Sequence, residues 1–183
     1  MKQIILLLLI LGASASTYSQ VKDPVEISPA LLQKITAEVE KQVPAFRSNM
    51  QKNSFTADEV EFAVDTFRIE QIMQRRIDLD YSTRGMNQTV DAATASYDKL
   101  MNKYYNKLLK MLSQEDKKVL LTAQKAWLAF RDAEQQLIWT MGKDEYSGGG
   151  TIQSNIATGA YSDIVIRRTL ELFAYYNNVV KEK

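Results

Sequence analysis

The sequence predicts an all-α fold, an antiparallel helical bundle of about five helices, and three observations carry that reading. Apolar residues recur at three- and four-residue intervals through every long segment. Proline and glycine are sparse, at 3 and 7 of 183 residues. No stretch sustains the period-2 alternation of a half-buried strand. Hydrophobic residues make up 45% of the chain, enough for a core and too many for intrinsic disorder.

The chain opens with Lys2, an apolar run from Ile4 to Leu11 and small residues at Ala13, Ser14 and Ala15. That pattern predicts a secretory signal peptide over residues 1–19, too short to span a bilayer. Cleavage after Ala15 and cleavage after Ser19 both satisfy the small-residue rule. No cysteine follows the apolar run, so no lipid anchor is expected, and the mature chain is expected in the periplasm or outside the cell.

Ser28 followed by Pro29 is an N-cap with proline at the first helical position, and Leu31, Ile35, Val39 and Val43 then recur at i+4 up to Pro44. Thr56 with Glu59 makes a capping-box pattern for a second helix ending near Leu79. A third helix is predicted from about residue 87 to 112, with Tyr97, Met101, Tyr104, Leu108 and Met111 on one face. Ser113 caps a fourth, whose first turn carries Glu115 and Asp116 where the helix dipole favours them. This helix runs to about Met141, and the three glycines at 148–150 then predict a mobile loop. The last helix spans about 152–180 and carries Ile156, Ile164, Val165, Leu172, Phe173 and Tyr176.

The fourth helix holds the chain's most informative stretch, residues 123–134. At about 100° per residue, Gln124, Trp127, Arg131 and Glu134 fall within roughly 80° of one another. Ala123, Phe130, Leu137 and Met141 form an apolar strip beside them. If the third and fourth helices pair as a hairpin about Ser113, Asn102 lies opposite Gln124, and Asp98 near Trp127 and Arg131. The same construction across the glycine loop brings Arg167 or Arg168 near Arg131 and Glu134. The expected network pairs Asp98 with Arg131, Asn102 with Gln124 and Glu134 with Arg168. Arg131 suits it because a planar guanidinium can fork onto a carboxylate and also stack on Trp127. Such a network either fixes helix register or reaches the surface and touches a partner.

These same residues resemble the signature helix of the LprI-type lysozyme-inhibitor family, small secreted helical domains. Asp98, Met101, Asn102 and Tyr105 resemble that family's Asp-x-x-Leu-Asn-x-x-Tyr pattern, and 86–89 the segment leading into it. Gly148 to Gly150 and Arg168 to Leu172 resemble its glycine-rich loop and closing helix. The resemblance covers residues 83–176. Together with the signal peptide read at 1–19, it implies an N-terminal helical extension at 20–82 and an LprI-like domain at 83–183. Thr89, Gln135 and Ala160 stand where relatives usually carry cysteine. With no cysteine in this chain, the roughly 2–4 kcal/mol a disulfide contributes must come from packing.

The residue inventory excludes several chemistries. Without histidine or cysteine the chain lacks the usual general base near neutral pH, a thiol nucleophile and the common transition-metal ligands. Asp78, Asp80 and Ser82 imitate the start of a calcium loop, but Thr83 and Thr89 occupy the positions that need glycine and glutamate. No cofactor site is expected. Removing Lys2 takes the basic count from 23 to 22 against 22 acidic residues, and a neutral chain has no field to attract nucleic acid. Paired carboxylates for glycoside hydrolysis are formally available, for example Glu134 with Asp98, and neighbouring arginines argue against that use. The chain is therefore not expected to be an enzyme.

The resemblance implies inhibition of lysozyme by protein contact. The alternative is an envelope domain with a structural or small-ligand role. The segment Lys143, Asp144, Glu145, Tyr146 and Ser147 is either a solvated connection or a recognition loop that offers charge, aromatic area and a hydroxyl. The oligomeric state is not legible.

Overall fold

The computed structural model describes residues 23–53 and 55–181. The expected signal peptide, residues 1–19, lies outside the described residues. Six helices of ten residues or more and one single turn follow in order: α1 (Pro29–Glu40), α2 (Val43–Lys52), α3 (Ala57–Leu79), α4 (Thr83–Met111), α5 (Gln114–Met141), α6 (Asp144–Ser147) and α7 (Ile152–Lys181). No strand occurs among the described residues, and the fold is an all-α helical bundle.

The caps read from the sequence are present. Ser28 Oγ accepts from Leu31 N at 3.2 Å and Ser113 Oγ from Asp116 N at 3.1 Å. Thr56 and Glu59 close a reciprocal box, with Thr56 N donating to Glu59 Oε2 at 2.8 Å. Two boundaries differ from the expectation. The first helix stops at Glu40, and Pro44 stands in the opening turn of a separate α2, where its missing N–H costs no helical bond. α4 begins at Thr83 rather than near 87 because Ser82 Oγ caps the N–H of Gly85 at 3.0 Å. Ser82 is itself fixed by Asp80 Oδ1, which accepts its hydroxyl at 2.6 Å and its N–H at 3.2 Å.

The core lies between α3, α4 and α7. Phe62 stacks on Phe173 with centroids 3.9 Å apart, and Tyr104 meets both rings edge-on at 5.2 and 4.9 Å. Leu172, Val165, Leu100 and Tyr176 close the cluster. Polar rungs lock α3 antiparallel to α4: Lys107 bridges Asp58 and Glu61, Lys103 bridges Glu61 and Asp65, and Tyr97 donates to Glu70. These rungs hold the Glu61 carboxyl down to about 2, through Lys107 first and Lys103 second.

α4 and α7 make the most extensive helix–helix contact and run parallel. Asn87 bonds Ser154, Thr94 bonds Ser162 and Thr169 bonds the Tyr97 carbonyl, so both residue numbers rise together. Small side chains at Ala93, Thr94, Ala157 and Ser162 let the two axes approach. The expected α4–α5 hairpin is consequently loose. The two helices touch where Gln124 Nε2 lies 3.9 Å from Met101 Sδ, but α5 packs chiefly on α7, antiparallel to it.

Candidate functional site

Attachment of α5 to α7 decides where the signature residues go. Arg168 is 9% exposed, and its Nε donates to Gln124 Oε1 at 3.1 Å while Nη1 meets Glu171 at 3.0 Å. Trp127 is half-buried, with the Arg168 guanidinium 5.9 Å from its ring centroid and that of Arg131 at 5.5 Å. Gln124, Trp127, Arg131 and Arg168 therefore form one cluster across the α5–α7 seam.

The other expected pairs are absent. Arg131 directs Nε and Nη2 to Asp132, its chain neighbour, at 2.9 and 2.7 Å instead of to Asp98. Asn102 turns back within α4 to the carbonyl and carboxylate of Asp98, at 2.8 and 3.1 Å, instead of to Gln124. Glu134 does not reach Arg168 and lines a groove between α5 and α7. The first two pairings assumed that α5 lies along α4; the third fails on register, because Arg168 meets Gln124, ten residues before Glu134 on α5. Asp98 on α4 and Glu134 in that separate groove are not brought together as a pair.

The apolar strip beside these residues faces outward. Phe130 is 53% exposed, and Leu137 and Met141 are about as open. With Val119, Ala123, Ala126 and Ala133 they follow a 4,3,4,3,4,4 spacing along one side of α5. Sequence periodicity revealed this strip but not that the bundle leaves it uncovered. Across the groove, Ile152 and Ile156 of α7 are exposed as well.

At the end of that groove stands the segment from Lys143 to Ser147. It is not a loose loop: Asp144 to Ser147 form one helical turn, closed by Gly148 at φ 77°. Gly149 and Gly150 also take positive φ, 80° and 94°, a conformation only glycine adopts cheaply. Ser147 Oγ donates to the Gly142 and Lys143 carbonyls at 3.1 and 3.0 Å and accepts from Gly149 N at 3.1 Å. Ser147 is thus spent on bracing the turn, and the mobility expected of three glycines is reduced by these bonds. Lys143, Asp144, Glu145 and Tyr146 are exposed, Tyr146 at 58%.

A family model described as lysozyme inhibitor LprI matches residues 78–172, 95 of the chain's 183 residues. The chain belongs to this family. No curated protein and no solved structure gives a significant match. The segment shared with the LprI family runs from the last turn of α3 to Leu172 and includes the Trp127 cluster, the groove and the braced turn. Of the positions where LprI relatives usually carry cysteine, Thr89 is buried on α4, while Gln135 and Ala160 are half-buried on α5 and α7.

Proposed function

We propose that this LprI-family chain is an exported inhibitor that blocks lysozyme by surface contact and carries out no catalysis itself. The family description supports the target class, and LprI proteins are usually extracellular or periplasmic. The signal peptide expected from the sequence at 1–19 fits that placement, and among the described residues no helix is long and apolar enough to cross a membrane. The observation that carries the reading is the outer side of α5: an apolar strip left open on a folded chain, joined through the groove to a braced turn bearing Lys143 and Tyr146. Exposed apolar area of that extent marks interaction surfaces.

Lysozymes bind polysaccharide in a long cleft that contains catalytic carboxylates, so a blocking protein must present something narrow and preferably cationic. The turn offers the Lys143 ammonium and the Tyr146 ring, with Asp144 and Glu145 at its rim. Leu137, Met141 and Ile156 supply apolar area behind it. Because Ser147 already ties the turn down, ordering it on binding costs less entropy than an open glycine loop would. The Trp127 cluster then holds α5 in place and takes no part in the contact.

The test is a lysis assay with purified mature protein and its variants. Lys143→Ala with Tyr146→Ala, and separately Leu137→Ser with Met141→Ser, should each weaken inhibition about tenfold or more at unchanged melting temperature. Full inhibition by both variants would place the contact elsewhere, and no inhibition by the native chain would remove lysozyme as the target.

A further inference from the structure

A cleft lies away from this surface, between α1, α3 and α4, with a volume of about 570 Å³. That is within the roughly 300–1,000 Å³ of small-molecule sites. Its walls are apolar: Leu32 from α1, Ile69, Ile72 and Met73 from α3, and Leu100 from α4. Such walls suit an alkyl chain.

The polar groups of the cleft are unequally satisfied. Arg68 is forked onto Glu40 at 2.7 and 2.9 Å and also meets Asp65. Lys103 is held by Glu61 and Asp65, and Lys99 stands exposed at the rim. Arg76 differs. It has no carboxylate partner among the described residues, its Nη2 makes one long bond of 3.4 Å to the Gln88 carbonyl, and its Nε is buried with no acceptor. Burial lowers the pKa of Arg76, as expected for a cation desolvated without a counter-charge.

Thr89 follows Gln88 and lines the same cleft. Its Oγ1 is buried with no hydrogen-bond partner, although a helical threonine ordinarily bonds the carbonyl four residues back. Two buried donors without acceptors, adjacent on the wall of an apolar cleft, are costly unless something completes them.

We propose that this cleft binds an amphiphile with an alkyl tail and a single carboxylate head, the tail along Leu32, Ile72 and Leu100 and the head on Arg76 and Thr89. A carboxylate offers two acceptor oxygens to the guanidinium edge and the hydroxyl, and its one negative charge matches Arg76, whose Nε is buried without a counter-charge. A phosphate dianion would bring a second negative charge beside Glu40 and Asp65, with only the exposed Lys99 at the rim to answer it. A neutral alcohol would leave Arg76 unanswered. The site draws on α1 and α3, outside the shared α5–α7 surface, and does not depend on lysozyme binding.

The experiment is titration calorimetry of the mature protein with dodecanoate below its micelle concentration, with dodecanol as the uncharged comparison. Dodecanoate should bind at one saturable site and dodecanol about tenfold or more weaker, the difference a charge-assisted hydrogen bond makes. Arg76→Met keeps the stem and should erase the preference for acid over alcohol. Thr89→Val keeps the charge and should weaken dodecanoate by a few-fold. It also serves as the second variant should Arg76→Met fail to melt cooperatively. No saturable uptake of dodecanoate by the native chain would overturn the proposal. So would equal affinities for acid and alcohol in the native chain, or a native acid affinity retained in the folded variants.

Discussion

Arg168 fastens α5 to the bundle, and its truncation to alanine measures that attachment. The bond from its charged Nε to Gln124 Oε1, at 3.1 Å beside a 9%-exposed residue, is worth about 1.5–3 kcal/mol. Its position 5.9 Å from the Trp127 ring adds about 0.5–1 kcal/mol. Its ion pair to Glu171 adds no more than about 0.5 kcal/mol, since that carboxylate is 53% exposed. Arg168→Ala should therefore cost about 2–4 kcal/mol in urea unfolding, a fall of about 5–15 °C in melting temperature for a chain of this size. A double-mutant cycle with Gln124→Leu should return a coupling of about 1–2 kcal/mol, and hydrogen exchange should rise first in α5. The control is Arg167→Ala, an exposed neighbour whose Nε reaches only the Asp163 carbonyl at 3.4 Å. A loss no larger than that control, or a coupling near zero, would refute the assignment of Arg168 as the fastening.

Arg131→Ala should cost no more than about 1 kcal/mol, because its bonds go to an exposed neighbouring carboxylate and its ring contact is partly solvated; a loss above about 3 kcal/mol by the same unfolding assay would mean a buried partner. Gly85→Ala should destabilise by about 1–3 kcal/mol, opposite in sign to helix propensity, because a Cβ there would collide with the Asp80 carboxyl that holds the Ser82 cap; a stabilised variant would show that Asp80 is free to move. Glu59 and Glu61 are both held at about 2, Glu59 mainly by Lys181 and Glu61 by Lys107, against an ordinary 4.5. With folded pKa values below unfolded ones, their stabilisation is complete above pH 4.5 and is lost as pH falls toward 2, about 1–2 kcal/mol in all once surface screening is allowed for. Glu61→Gln should flatten that fall, and an unchanged pH profile of melting temperature would count against the rungs.

Helix existence was legible because the signals are local. Ser28 with Pro29, Thr56 with Glu59, and Ser113 each satisfy N–H groups within three residues, so sequence alone places them. Pro44 was misread as a stop because proline serves both a helix end and the first turn of the next, and only tertiary packing distinguishes them. Pairing was much less legible. A tight turn at Ser113 suggests that α4 and α5 lie side by side, yet α7 offers α4 the closer match through Ala93, Thr94, Ala157 and Ser162. That match is made between residues such as Thr94 and Ser162, 68 positions apart, and no local pattern announces it.

The same difference bears on which face of α5 turns inward. Periodicity shows that Ala123, Phe130, Leu137 and Met141 share a side; it carries no information on what covers that side. Gln124 and Trp127 sit inward instead, because Arg168 on α7 supplies the partner that makes burying a polar group tolerable. One buried arginine thus sets the rotation of α5 about its own axis, and that rotation turns the apolar strip outward, beside Lys143 and Tyr146. The signature residues of the family and the proposed contact surface are linked by this geometry: the first fasten the helix, and in doing so they expose the second. Loosening Arg168 should accordingly weaken inhibition together with stability, whereas Leu137→Ser with Met141→Ser should weaken inhibition alone, and a parallel loss of both properties in each variant would break that link.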